Sequence, residues 1–115
     1  RVRNPYQPSS VKLIVEDVLA TLDYKIKQNH VAFKVQPDLP IIVCDPIKLK
    51  EVFLNLLTNA VKFASGRPDI HPAISISMQE TADAYEFMVK DNGIGISPDH
   101  HQEIFEIFKR LDASE

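Results

Sequence analysis

The 115 residues are enough for one domain with a hydrophobic core, and the 44% hydrophobic and 25% charged fractions are those of an ordinary globular protein. The net charge of −3, with basic residues spread along the chain, gives no electrostatic support for nucleic-acid binding. There is no apolar run of membrane-spanning length and no signal-peptide pattern, and the single cysteine excludes a disulfide framework within the chain. We therefore expect a cytoplasmic protein without direct membrane contact.

The first part of the chain is predicted to be a linker, a helix and a strand. Residues 1–9 have two prolines and no hydrophobic period, so we interpret them as a linker from an upstream domain. Ser9 or Ser10 can cap a helix, because a serine oxygen accepts hydrogen bonds from the first turn. One face of this helix is apolar: Val11, Ile14, Val15, Val18, Leu22 and Ile26. Residues 31–35 alternate as a strand, and Cys44, in an apolar run, is interpreted as a buried structural thiol.

The middle of the chain carries the strongest helix pattern. Asp45 is a good N-cap, and Pro46 suits the first helical position. Gly66 and Pro68 predict an end near Ala64. An apolar stripe at three- and four-residue steps is predicted to face the core: Leu49, Val52, Phe53, Leu56, Leu57, Ala60 and Val61.

A second, polar stripe follows the same helix. Glu51, Asn55, Asn59 and Lys62 recur at four, four and three residues, so they share another face. A solvated surface is the ordinary interpretation, and it suffices for Glu51. Two asparagines one turn apart are unusual inside a helix, because their side chains compete for the backbone. Amide oxygens suit Mg²⁺ and a lysine suits phosphate, so the stripe alone leaves a binding site and a solvated face both open.

The next segment is predicted to be a hairpin that ends in a carboxylate. Residues 74–78 and 85–90 alternate as strands and are joined by a turn at residues 81–83. Asp91 follows the second strand, with two glycines after it. Because adenine presents an amino donor where guanine presents a carbonyl, a carboxylate at a pocket floor favours adenine. Asp-Asn-Gly is also ordinary turn chemistry, but together with the asparagine helix it indicates a site for an adenine nucleotide and its metal.

Residues 97–111 are predicted to form the last helix. Ser97 and Pro98 suit its start, and an apolar stripe follows: Ile104, Phe105, Phe108 and Leu111. The four histidines are interpreted as surface residues and not as metal ligands or phosphoacceptors: His30, His71, His100 and His101. The predicted fold class is α+β, a two-layer α/β sandwich with the helices on one face of a mixed sheet.

These motifs resemble the ATP-binding catalytic domain of sensor histidine kinases, within the wider family that includes gyrase, MutL and heat-shock chaperone ATPases. Residues 55–63 resemble the N box of the family, residues 91–95 the G1 box and residues 105–108 the F box. The match extends from about Val11 to the last residue. We therefore interpret residues 10–115 as part of this domain, which has the Bergerat-type ATP-binding fold.

The resemblance implies ATP and Mg²⁺ as cofactors and a role for each motif residue. Asn59 is expected to be the principal Mg²⁺ ligand, and Asn55 to help position metal and phosphate. Lys62 and Arg110, the latter in the lid region, are expected to approach the phosphates. Asp91 is expected to bind the adenine amino group.

The glycines after that carboxylate, Gly93 and Gly95, are expected to shape the nucleotide pocket. Phe63 stands where many members of the family have tyrosine, so any hydroxyl contact at that position is lost. In the hydrolysing members a glutamate lies four residues before the metal asparagine and activates water. Here that position is Asn55, an amide that cannot act as a base, which favours phosphate transfer over hydrolysis.

The resemblance also implies a continuation of the domain. The family has a lid and a second glycine-rich segment, the G2 box, whose backbone N–H groups cradle phosphate at a helix N-terminus. No G-x-G-x-G follows Gly95 in this sequence. We therefore expect the C-terminal part of the domain to be missing and residues 1–115 alone to be inactive.

Two functions are carried forward. The first is the ATP-binding catalytic module of a two-component sensor histidine kinase, which transfers the γ-phosphate of ATP to a histidine in a separate, upstream dimerisation domain. Its partners would be that domain and a response regulator, in a homodimeric parent protein. The alternative is a truncated, non-catalytic regulatory or interaction fragment with weak nucleotide binding. The motifs favour the first function for the parent, and the missing G2 box favours the second for this polypeptide.

Overall fold

The computed structural model describes residues 5–64, 72–91 and 102–109, which form six strands and three helices. In chain order these are β1 (Gln7–Ser10), α1 (Val11–Thr21), α2 (Asp23–Gln28), β2 (Ala32–Val35), β3 (Ile41–Cys44), α3 (Pro46–Ala64), β4 (Ala73–Glu80), β5 (Ala84–Asp91) and β6 (Gln102–Phe108).

Four strands form a mixed sheet in the order β2–β4–β5–β6. β2 runs parallel to β4, whereas β4, β5 and β6 run antiparallel to their neighbours. β1 and β3 form a separate antiparallel pair. A parallel pair needs a long crossover, and here α3 lies within the segment that connects β2 to β4. The predicted α+β fold with a mixed sheet is confirmed.

The core lies between the helices and one face of the sheet. Alternate residues of β4 and β5 are buried on that face, whereas Ser75, Ser77 and Lys90 on the other face are not. The buried cluster joins this sheet face to residues of α1 and α3: Val11, Val15, Val18, Leu49, Phe53, Leu57, Val61, Ile74, Ile76, Phe87 and Val89. The two-layer arrangement follows from this single shared core.

The entry into α1 differs in part from the sequence interpretation. Ser10 is the N-cap, as predicted, and its Oγ accepts from the Leu13 N–H at 3.1 Å. Residues 7–9, interpreted as the end of a linker, instead form most of β1. They pair with β3, and the Ser9 side chain is buried, with its hydroxyl donating to the Gln7 carbonyl at 2.8 Å. The pairing partner lies more than thirty residues away, which a local pattern cannot show.

α3 has the boundaries that the sequence predicted. Oδ1 of Asp45 accepts from the N–H groups of Ile47 at 3.0 Å and Lys48 at 3.2 Å, so two otherwise unsatisfied donors of the first turn are capped. The apolar stripe is buried at Leu49, Phe53, Leu57 and Val61, with the intervening apolar residues half-buried. Side chains of the polar stripe are exposed.

An aromatic cluster joins α3 to the sheet. The Phe53 ring meets the rings of Phe87 and Phe105 edge to face, with centroids 5.5 Å and 5.4 Å away. Phe87 and Phe105 stack on each other at 5.0 Å, with an interplanar angle of 16°. Phe53 and Phe87 are completely buried. Three elements, α3, β5 and β6, therefore share one packing contact.

Replacing the helix cap is expected to destabilise the fold modestly. Asp45→Ala removes the acceptor of two backbone N–H groups and should lower the free energy of unfolding by about 1 kcal/mol. Urea unfolding measures it. Glu51→Ala, which removes an exposed carboxylate from the same helix, is the control and should change stability by less than about 0.5 kcal/mol. Equal unfolding midpoints for Asp45→Ala and the unchanged protein would contradict the capping role.

The predicted last helix is wrong for residues 102–108, which form β6. This heptapeptide also alternates with period two, so that Phe105 and Ile107 face the core while Ile104 and Phe108 are exposed. Pairing with β5 satisfies the backbone groups of both strands and stacks Phe105 on Phe87. Tertiary pairing therefore overrides the helical spacing. The predicted helix start at residues 97–98 and its end at residue 111 lie outside the described residues.

Candidate nucleotide site

A cavity of about 260 Å³ opens between the second half of α3 and the end of β5. Its lining comes from three elements. α3 contributes Leu56, Asn59, Ala60 and Phe63, β5 contributes Val89 and Asp91, and β6 contributes Glu103. The cavity thus has an apolar body with a few polar groups, which is typical of a small-molecule site.

Two of the predicted site residues meet at this cavity. Asn59, from the asparagine stripe, and Asp91, from the end of the hairpin, line the same space although they lie 32 positions apart. They are brought together because Phe53 and Phe87 pack α3 against β5. The amide and the carboxylate are of the residue types expected for metal and adenine recognition, and their roles stay predictions.

Asp91 occupies the last position of β5 and is half-buried. Its Oδ1 is enclosed in the protein. In such surroundings the local dielectric is low, so a hydrogen bond to this oxygen is stronger than it would be in water. Ile74 lies opposite Asp91 in the sheet register, and this fixes the backbone from which the carboxylate projects.

The other predicted residues divide into two groups. Asn55 and Lys62 are exposed on α3, one turn before Asn59 and three residues after it, and they are not among the described lining residues. They can serve only a ligand that extends out of the cavity along the helix. The remaining three predicted residues lie outside the described residues: Gly93, Gly95 and Arg110.

Glu103 is a lining residue that the sequence interpretation missed. It was assigned to a helix, whereas in β6 it lies opposite Val89 and on the same strand face as Phe105 and Ile107. The signal that could have revealed it is the period-two spacing of residues 103, 105 and 107. With Asp91 it gives the described lining two carboxylates and no lysine or arginine.

Cys44 lies away from this site and is confirmed as a buried thiol. Burial raises the pKa of Cys44, the negative charge of Asp45 adds to this, and the hydrogen bond with Ser9 opposes it. A thiol with a raised pKa is neutral near pH 7 and a poor nucleophile. Cys44 is therefore a packing residue.

In the described parts of the chain, no three histidine, cysteine, aspartate or glutamate residues come together as a metal cluster. His30, predicted to be a surface residue, is exposed and has a positive φ of 56° at the turn between α2 and β2. The other three histidines lie outside the described residues. Nor does the described chain contain a helix with the length and apolar character needed to cross a membrane.

The fold and this site agree with the family comparisons. Residues 44–115 match the family described as histidine kinase-, DNA gyrase B- and HSP90-like ATPases. The chain belongs to this family, and the resemblance found in the sequence is confirmed.

Two relatives and two solved structures show how far the similarity extends. The chain is 39% identical over 103 residues to the phytochrome-like protein Cph1 of Synechocystis sp., covering 90% of this chain and 13% of that protein. It is 30% identical over 112 residues to the methanogenesis regulatory histidine kinase FilI of Methanothrix harundinacea, covering 97% of this chain and 12% of the relative. The chain therefore spans about an eighth of the length of these relatives.

The structural neighbours have low sequence identity and share the fold. The histidine kinase AdeS of Acinetobacter baumannii superposes with a TM-score of 0.69 at 20% identity, covering 86% of this chain and 48% of that one. The histidine kinase ThkA, solved in complex with the response regulator protein TrrA, superposes with a TM-score of 0.62 at 17% identity, covering 82% of this chain and 28% of that one.

Proposed function

We propose that the chain is the ATP-binding catalytic module of a sensor histidine kinase, which transfers the γ-phosphate of ATP to a histidine in a separate dimerisation domain. The observation that carries the proposal is the meeting of Asn59 and Asp91 at one cavity. Membership of the ATPase family and similarity to named histidine kinases support it.

Adenine recognition is assigned to Asp91. Its carboxylate accepts from the exocyclic amino group of adenine, and it would face the carbonyl oxygen of guanine without a donor. The apolar body of the cavity, formed by Leu56, Phe63 and Val89, suits the faces of a purine ring. Asp91 therefore supplies the base specificity, and the apolar residues contribute most of the buried area.

The metal and phosphate contacts are assigned to the polar stripe of α3. When bound, Mg²⁺ neutralises phosphate charge and holds the phosphate oxygens in position. The donor set fits this ion, because Asn59 brings a neutral amide oxygen to the cavity and Mg²⁺ keeps several of its own waters. Asn55 lies one turn earlier and orients water or phosphate, while the Lys62 ammonium approaches the phosphate chain. Arg110, Gly93 and Gly95 keep the roles that the resemblance implies.

Asn55 also favours transfer over hydrolysis. A carboxylate at this position could take a proton from a water that attacks the γ-phosphate, but an amide has no basic oxygen for this purpose. The phosphate is therefore reserved for an acceptor in another domain. We further propose that the parent is a homodimer that passes the phosphate on to a response regulator in the cytoplasm.

Asp91→Asn tests the adenine assignment. The amide can turn its NH₂ group toward the adenine amine, and the charge-assisted hydrogen bond is lost. Such a bond contributes roughly 1.5–3 kcal/mol, so the affinity for ADP should fall at least about tenfold. Calorimetric titration with ADP measures it, with Asp83→Asn, in the exposed β4–β5 turn, as the matched control.

Each outcome of this titration has a distinct meaning. Equal ADP affinity of Asp91→Asn and the unchanged protein contradicts the role of Asp91. The alternative function, a non-catalytic interaction fragment, is favoured by the two carboxylates in the described lining. It gains support if the unchanged protein shows only weak ADP binding and the parent protein shows no phosphotransfer.

A further inference from the structure

The cavity is small while β6 is paired with β5. Its volume of about 260 Å³ lies below the roughly 300–1,000 Å³ that is typical of small-molecule and cofactor sites. Glu103 of β6 forms part of the wall, opposite Val89 in the strand register. The position of β6 therefore limits the room for a nucleotide.

The charge of the described wall is also unsuited to a polyphosphate. Asp91 and Glu103 both contribute a carboxylate, and the described lining residues include no cation. A cleft lined by one sign of charge repels a ligand of the same sign. Asp91 has a use in adenine recognition, whereas Glu103 has none in the function proposed above. Moving β6 would enlarge the cavity and remove one of the two charges.

β6 carries its own destabilising features. Glu106 lies directly opposite Glu86 on the sheet face that points away from the core, and like charges in opposed positions weaken a strand pair. A hydrogen bond with Glu86, together with desolvation and the charge of Glu86, raises the pKa of Glu106. Two large apolar side chains of β6 are also exposed, Ile104 by 55% and Phe108 by 64%. β6 is an edge strand of the described sheet.

The contacts that hold β6 in place are few. Phe105 stacks on Phe87 in the core. Beyond the end of the strand, Nζ of Lys109 lies 2.6 Å from Oε2 of Glu80, and the Lys109 N–H donates to the Asp83 carbonyl at 2.8 Å. The ion pair lies near the surface, where such pairs stabilise little. Because residues 102–108 fit a helical period as well as a strand period, the segment has a second conformation within reach.

From these observations we propose that β6 is a displaceable strand that regulates the nucleotide cavity. Paired with β5, it holds the cavity in a narrow, acid-lined form that binds nucleotide weakly. Nucleotide binding in full requires β6 to leave β5, which removes Glu103 from the wall and separates Glu106 from Glu86. The inference rests on the proposed function of the cavity and adds a regulatory step to it.

A disulfide between β5 and β6 tests the proposal directly. Met88 and Ile104 are opposite each other and face away from the cavity, so Met88→Cys with Ile104→Cys locks β6 without altering the lining. Opposed Cβ atoms lie about 4.5–5.5 Å apart, close to what a disulfide needs. The oxidised double variant should bind ADP at least about tenfold more weakly than its reduced form, because the competent state is no longer populated.

The matched control locks the neighbouring strand pair. Ser77→Cys with Met88→Cys joins β4 to β5 on the same sheet face and leaves β6 free. Its ADP affinity should be unchanged by oxidation within about twofold. Equal ADP affinity of the oxidised and reduced Met88→Cys, Ile104→Cys protein overturns the proposal and leaves the proposed function standing. Failure of the unchanged protein and of every reduced variant to bind ADP overturns the proposed function, and the inference with it.

Hydrogen exchange gives a second test that needs no nucleotide. The amides of β6 should exchange at least about tenfold faster than those of β5 in the free protein, because an edge strand that detaches opens separately from the core. Glu106→Gln removes the opposed charge and should slow the exchange of β6 near pH 7, whereas Glu16→Gln, an exposed change on α1, should not. Equal protection of β6 and β5 in the unchanged protein would overturn the proposal.

Discussion

Asn59→Ala is expected to lower Mg²⁺-dependent phosphotransfer by the parent protein at least about a hundredfold, while ADP binding is partly retained. The amide of Asn59 is the metal-type ligand of the described cavity, and the loss of one group that stabilises transition-state charge has effects of this size. Adenine recognition by Asp91 does not depend on that amide. Transfer of label from ATP measures the first effect, and calorimetry with ADP the second.

The substitution separates loss of ligand from loss of fold. Alanine has a higher helix propensity than asparagine, and Asn59 is exposed, so α3 should not be destabilised. Glu51→Ala, two turns earlier on the same polar stripe, is the control and should transfer phosphate normally. Transfer by Asn59→Ala within about twofold of the unchanged protein would refute its assignment as the metal ligand.

Phe53→Ala is expected to have the largest effect on stability, a loss of about 3–5 kcal/mol in the free energy of unfolding. Phe53 is completely buried and contacts the rings of two strands, so its removal leaves a cavity and ends both edge-to-face contacts. A domain of this size has only about 5–15 kcal/mol of stability in total. Urea unfolding followed by circular dichroism measures the loss.

Two further variants keep this experiment decisive. Phe63→Ala, on the same helix but 40% exposed, should cost clearly less than Phe53→Ala. If Phe53→Ala does not fold, Phe53→Leu should still fold, with a loss of roughly 1–2 kcal/mol. Equal costs for Phe53→Ala and Phe63→Ala would show that the aromatic cluster is not the centre of the core.

Local signals predicted the part of the fold that carries Asn59. The N-cap Asp45, the proline at the first helical position and the apolar stripe act within a few residues of one another, so α3 was predicted with the observed boundaries. The β4–β5 hairpin was predicted for the same reason, since its strands are joined by a short turn. These elements bring the amide and the carboxylate of the candidate site to one cavity.

Contacts between distant segments account for the failures. β1 depends on β3, and β6 depends on β5 and the ring of Phe87, so neither strand can be inferred from its own residues. The helical spacing of residues 104, 105 and 108 is real, but two exposed apolar side chains are tolerated once Phe105 is stacked in the core. Glu103 was missed as a lining residue because its strand was missed.

The aromatic cluster also governs how accurately the site can be built. Asn59 lies six residues after Phe53 on a rigid helix, and Asp91 lies four residues after Phe87 on a paired strand. The separation of amide and carboxylate therefore follows from how closely two phenyl rings pack, 5.5 Å between centroids. Ligand geometry in this protein is thus a dimension of its core, and the volume of one buried side chain sets the width of the nucleotide cavity.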